Sequence, residues 1–330
     1  MVHSGAAVAL DHYVSQVHLK NFYAPALGER MYAMKKTDLK RYTCDAYSQC
    51  RIEDGSTNPY LQEPRVIEEF LHGVEPRYNS ALVKLREGRL DPESVFAIAG
   101  FAAYVQGCAP GGMRIHSRPL QETVAVTTAM LEESGMLPPP PSVFRGKTLA
   151  QLLDSEEVLV TVDPKYPQSM GITNILRSTS IWGNSCWDIL INENPSTPFF
   201  TSDYPLAIEP SGRAGIVNRI LPLAPSLAIR ILPDLEQRGR LDLRFANLRT
   251  RRINIRRQDA AEINRRIVQC AESVVYFSED LPWIPGFVEK HRWFKIEPEI
   301  SRIPQGGGQM IVSTLRISKA APAKIDQVKN

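Results

Sequence analysis

The stretch whose reading decides the fold is "DPESVFAIAGFAAYVQGC", Asp91 to Cys108. The Asp91 carboxylate can accept a hydrogen bond from an unpaired N–H of a first helical turn. Pro92 already has the φ that a first helical position needs, and no N–H to leave unsatisfied there. From Val95 to Val105 the residues are apolar almost all the way round, with no polar stripe at helical spacing. Such a helix has no face for water and belongs in the interior. The stretch therefore predicts a central helix that the rest of the chain must cover.

Upstream, "EPRVIEEFLHGVEPRYNSALVKL" (Glu63–Leu85) places Val66, Ile67, Phe70, Leu71, Val74, Tyr78, Leu82 and Leu85 at helical spacing. Pro64 suits the first helical position. Pro76 lies inside the pattern and is expected to kink or split the helix. "RMYAMKK" (Arg30–Lys36) alternates as a short strand does. Downstream, "RPLQETVAVTTAMLEESGML" (Arg118–Leu137) predicts another helix, with Gly135 placed to end it.

Pro138–Pro141 can be neither helix nor central strand, and predicts a stiff extended connector. After it come short apolar runs bounded by turn residues, as strands are: "VLVTVD" (158–163), "CWDILIN" (186–192), "FFTSDYPLAI" (199–208) and "SLAIRIL" (226–232). "DAAEINRRIVQCAESVVYF" (259–277) restores helical period, with Asp259 as cap and Ile263, Ile267, Ala271 and Val274 on one stripe. "RWFKIEP" and "QMIVSTLRI" predict late strands. The expected fold class is α+β: a helical N-terminal half packed against a β-rich C-terminal half that carries a late long helix. The boundary falls at 137/138, between two domains or within one composite domain.

Composition bounds the function. The 330 residues are 43% hydrophobic and 23% charged, with 39 Lys+Arg against 36 Asp+Glu and a net charge of +3. That balance argues against a dedicated nucleic-acid binder. The 5 cysteines are odd in number, scattered and without a C-x-x-C pair, so no disulfide framework is expected. The opening "MVHSGAAVALDHY" lacks the charged segment of a signal peptide, and no run approaches the ~18 apolar residues of a membrane span. A soluble, cytoplasmic protein without a membrane partner is the expectation.

Four segments in order resemble the DUF4238 family of uncharacterised proteins: "HYVSQVHLKNF" at the start, "FFTSDYPLAI", "LPLAPSLAIRI" and "INRRIVQCAESVVYFSEDLPWI". The resemblance runs from about Asp11 to Ile284. The family opens with an HYVPQ-type segment ending in Asn-Phe and later carries F-x-T-S-D-x-P. Here Ser15 stands where the family has proline, and Cys108 stands where an arginine is expected. The resemblance supports the architecture and implies no activity.

Chemistry is sought in the polar residues of these motifs. His12 precedes a helix start that Ser15 can cap, and an imidazole there titrates near neutrality. His18, six residues on, points about 240° around a helix from it and is expected to be structural. Asp203 follows Thr201 and Ser202 at a strand end before Pro205, and can act as a base, orient His12 or ligate a metal. Glu75 is an acid inside an apolar helical pattern, so it needs a partner or acts as an acid–base group. Gln16, Asn21, Thr201, Ser202 and Asn184 are candidate substrate contacts. The expected function is an enzyme of hydrolase-like acid–base type, using a His12/Asp203 pair with Glu75 in a pocket between the halves. Its substrate would be a small polar or anionic molecule. No cofactor is expected, and the one metal site the sequence allows joins His12, Glu75 and Asp203. The rival is a non-enzymatic binding module for nucleic acid or another phosphate-bearing partner, through the eight arginines of Arg244–Arg266.

Overall fold

The computed structural model describes residues 9–234, 236, 239–306 and 308–320. The chain opens with strand β1 (Leu10–His12) and the one-turn helix α1 (Gln16–Leu19). Strands β2 (Met31–Lys35), β3 (Arg41–Cys44) and β4 (Arg51–Glu53) come after it. β4 returns antiparallel to β1 and sets His12 opposite Arg51. Ser15 does flank α1, but its buried hydroxyl makes no capping bond and has no partner among the described residues.

Helix α2 (Val66–Glu87) contains Pro76 and is not split there. Pro76 is exposed, so the His72 carbonyl that loses its i+4 donor can be solvated instead. Gly88, at φ +71°, ends the helix in the left-handed region. α3 (Pro92–Cys108) starts as expected, with Asp91 accepting from the Ser94 N–H at 2.9 Å. Ala97, Ile98, Phe101, Ala102 and Val105 are fully buried, and α2 and the later helices over 110–133, 165–173 and 175–183 surround the helix. Burying a side chain such as Phe101 contributes about 1.5–3 kcal/mol.

Helix α4 (Pro110–Glu133) begins earlier than its sequence suggests and carries Pro119 internally. Three further helices lie beyond the proline connector: α5 (Leu149–Asp154), α6 (Lys165–Thr173) and α7 (Ile175–Gly183). Helical structure thus continues past the prolines as far as Gly183. "VLVTVD" forms no strand; Leu159 is exposed, and Val158, Val160 and Val162 are half-buried.

The strand-rich part begins with β5 (Cys186–Ile191), β6 (Thr201–Ser202), β7 (Ala207–Pro210), β8 (Val217–Ala224), β9 (Leu227–Leu232) and β10 (Arg249–Asn254). Helix α8 (Arg257–Cys270) and strand β11 (Val274–Phe277) come next. The predicted stripe therefore stops one residue short of Ala271, and Val274 is a strand residue. Helix α9 (Ile284–His291) leads to β12 (Phe294–Gln305) and β13 (Gly308–Lys319). Two main sheets result, ordered β10-β5-β9-β8-β7 and β3-β2-β11-β6, while β12 and β13 form a separate hairpin. Only the β10–β5 pair is parallel among those described. The fold is α+β. Among the described residues, no single helix is long and apolar enough to cross a membrane.

Candidate functional site

His12 ends β1 and lines an open cleft of about 220 Å³. Its backbone is fixed from below, because the buried Tyr104 hydroxyl of α3 donates to the His12 carbonyl. Its ring is fixed as well: Nε2 lies 3.0 Å from the Tyr47 carbonyl. A carbonyl only accepts, so Nε2 carries the hydrogen and, in the neutral ring, Nδ1 keeps the lone pair. Burial holds the ring below the ordinary imidazole range, against the pull of the Tyr47 carbonyl, and the Arg51 charge lowers it further. His12 is therefore neutral at pH 7.

The opposite wall is α2. Glu68, His72 and Glu75 stand at i, i+4 and i+7 and share one face of that helix. Gln16 of α1 and Asp11 of β1 complete the polar lining. Asp11 is committed: it accepts from the Ser56 N–H at 2.9 Å and pairs with Arg65 at 3.2 Å. Arg65 also pairs with Glu68. Glu75 has no hydrogen bond or ion pair with a described residue, and its charge acts on His12. Three carboxylates (Asp11, Glu68 and Glu75) against Arg65 and Arg51 leave the cleft net acidic.

Three sequence candidates, His12, Gln16 and Glu75, thus meet in one cleft. Asp11, Glu68 and His72 join them without having been singled out. The helical spacing of Glu68 and His72 with Glu75 was the available signal, since a polar stripe beside an apolar one marks a face turned toward solvent or a site.

Asp203 lies elsewhere and does not line the cleft. It is buried, and its two carboxylate oxygens accept three backbone N–H groups: Glu272 at 2.9 Å, Ser273 at 2.7 Å and Val274 at 3.1 Å. Its own N–H donates to the Val274 carbonyl at 3.1 Å. Burial pushes Asp203 up to about 6, against those N–H groups and the nearby Lys36. Lys36 donates to the carbonyls of Ala271 and Phe294 and holds the same turn from the other side. Thr201 is bonded to His18 Nε2 at 2.8 Å, and His18 Nδ1 to the Tyr78 hydroxyl at 2.9 Å. Burial pushes His18 down to about 3, so it is neutral and ties α1 to α2 and β6. Ser202 accepts from the Tyr204 N–H.

The remaining candidates also sit away from the cleft. Asn21 bonds the Val17 carbonyl and Asn79, at 2.7 and 2.9 Å. Asn184 donates to the Ser180 and Asp242 carbonyls and accepts from Asn247, which pins the loop before β10. Much of the arginine run is matched to acids. Arg251 pairs with Asp188 at 2.7 Å, Arg249 with Asp234 at 3.6 Å, Arg256 with Asp259 at 3.2 Å, and Arg265 and Arg266 with Glu262. Arg252 donates to the Arg86 carbonyl. Among the described residues, no group of three or more His, Cys, Asp or Glu side chains is arranged to hold a metal ion.

A family model described as a protein of unknown function (DUF4238) matches residues 11–280. The chain therefore belongs to that family. Comparison with curated proteins and with solved structures finds no match.

Proposed function

We propose that this DUF4238 member is an enzyme of hydrolase-like acid–base type, acting in the cleft between β1, α1 and α2. The observation that carries the proposal is the His12–Glu75 arrangement. A neutral imidazole with one nitrogen fixed on a carbonyl stands within electrostatic reach of a carboxylate that has no other partner among the described residues. In this scheme His12 accepts a proton from water or a substrate hydroxyl through Nδ1. Glu75 stabilises the imidazolium that forms, and Gln16 holds a polar substrate group. Glu75 takes the place that the sequence offered to Asp203, whose oxygens are already occupied by backbone. The acidic lining favours a neutral or cationic polar substrate over an anionic one.

The test is a panel of chromogenic carboxylic and phosphate esters assayed with the wild type, His12→Gln and Glu75→Gln. Hydrolysis of at least one ester is expected, reduced about 10²–10⁴-fold by His12→Gln. The rate should rise through a pKa below 6.5 and be flat at neutral pH, because the base form already predominates there. Hydrolysis that survives in both variants would sink the assignment.

A further inference from the structure

Helices α3, α4, α6 and α7 line a second cavity of about 290 Å³ that shares no residue with the His12 cleft. Gly107 of α3 and Gly171 of α6 meet there backbone to backbone, which leaves a stretch of wall bare of side chains. Leu120 of α4 and buried Pro167 of α6 supply apolar walls, and exposed Met170 stands at the mouth.

No Asp, Glu, Lys or Arg lines this cavity, whereas three carboxylates line the His12 cleft. Its polar groups are Gln106, His116, Asn174 and Ser178. Burial, with a smaller push from the Arg219 charge outside the lining, holds the His116 ring below the ordinary imidazole range, so the ring is neutral at pH 7. All four groups have hydrogen-bonding capacity to spare. The side chains of Gln106, His116 and Ser178 make no hydrogen bond with a described residue, and Asn174 uses only its amide nitrogen, on the Met170 carbonyl at 2.9 Å. Gln106 Oε1 is the extreme case, a buried acceptor without a partner among the described residues. Such an acceptor costs stability until a donor reaches it. A half-turn about χ3 exchanges the amide oxygen and nitrogen, so this side chain can present either one to the cavity.

We propose that this cavity binds a small neutral carboxamide with a flat apolar body, its amide paired with that of Gln106 and its body lying against Leu120, Pro167 and the glycine wall. Charge selects first. Walls made only of neutral groups leave an ion desolvated and without a counter-ion, so acids and amines of the same shape are disfavoured. The polar groups select next. Their unused donors and acceptors match a head that carries both an N–H and a C=O, and one amide can pair with another through two hydrogen bonds. Bare backbone and a proline ring are surfaces that a planar ring contacts closely, and the Met170 thioether adds a polarisable contact at its edge.

The full-length protein would be titrated with 4-fluorobenzamide by fluorine NMR and thermal melting. Comparisons are 4-fluorobenzoate, 4-fluorobenzylammonium and fluorobenzene. The amide should bind saturably and raise Tm, and the two ions and the headless ring should each bind at least about 10-fold more weakly. In protein carrying ¹³C-methyl methionine, the amide should shift the Met170 signal, which the exposed-site variant Met170→Leu identifies. Gln106→Leu should weaken amide binding at least about 10-fold. Without ligand, this variant should melt at or above the wild type, because it removes an unsatisfied acceptor and keeps most of the side chain's bulk. The proposal is overturned if the amide does not bind at millimolar concentration, if either ion or fluorobenzene binds as well, or if the Met170 signal stays still. It is equally overturned if Gln106→Leu binds like the wild type, or if that variant melts far below it without ligand, since Oε1 would then already be partnered in the fold.

Discussion

The His12 cleft and the Asp203 turn are built from two segments of the chain, both rich in groups able to move protons, yet they end in opposite states. Around Asp203 every strong acceptor is taken by backbone N–H groups, and the carboxylate is sealed in. Around His12 the ring is anchored, among the described residues, at one nitrogen only and faces a carboxylate without a partner there. The difference teaches that residue type alone does not make a group reactive. What counts is how much of its bonding capacity the backbone has already used.

Three stability measurements can break or sharpen that contrast. The largest effect is expected at Asp203. Replacing it with alanine strands three part-buried N–H groups and leaves Lys36 without its neighbouring charge, so denaturant unfolding should show a loss of about 3–5 kcal/mol. A loss below about 1 kcal/mol would end the view of Asp203 as a structural clamp.

His18→Gln should come next, at about 1–3 kcal/mol near neutral pH, because the ring bridges two hydroxyls in the core. Its pH dependence has a definite sign. The folded-state pKa of about 3 lies below the ordinary 6.5 of the unfolded chain. The unfolded chain therefore takes up the proton first as pH falls. The stability owed to neutral His18 is complete above pH 6.5 and is lost toward pH 3, by roughly 1.4 kcal/mol per unit at most. Asp203, raised to about 6, has the opposite slope between its ordinary 3.8 and 6, but wild type and variant share it. The difference between their unfolding curves should thus shrink on acidification, and a constant difference would contradict a buried neutral His18.

The smallest effect is expected at His12. Its ring is half-buried and makes one hydrogen bond, so His12→Ala should cost less than about 1 kcal/mol. A loss as large as that at Asp203 would make both motifs structural and remove the contrast.

Local signals in the sequence predicted local structure well. Asp91–Pro92 marked the start of α3, Gly135 came just after the end of α4, and the alternation at Met31–Lys35 was a strand. Errors arose where a distant partner decides. Pro76 does not split α2, where its side of the helix faces water, and "VLVTVD" forms no strand. The candidate site was half legible. His12 and Glu75 stood out by type and position, while Asp11, Glu68 and His72 become relevant only once β1 is laid beside α2. Asp203 misled for a related reason: the N–H groups that occupy it come from residues 272–274, some seventy positions away in the chain.

The crossing of α3 over α6 sets a limit on how this sequence can drift. A Cβ added at Gly171 would lie 2.8 Å from the Gly107 Cα, and one added at Gly107 would lie 3.3 Å from the Gly171 Cα. Most tight contacts can be relieved by a compensating change to a smaller neighbour. Here both neighbours are already the smallest residue, and the obstacle is backbone, so no second substitution restores the fit. The two positions are locked together as a pair. A lineage that lost either glycine would have to spread the two helices and with them reshape the cavity they border.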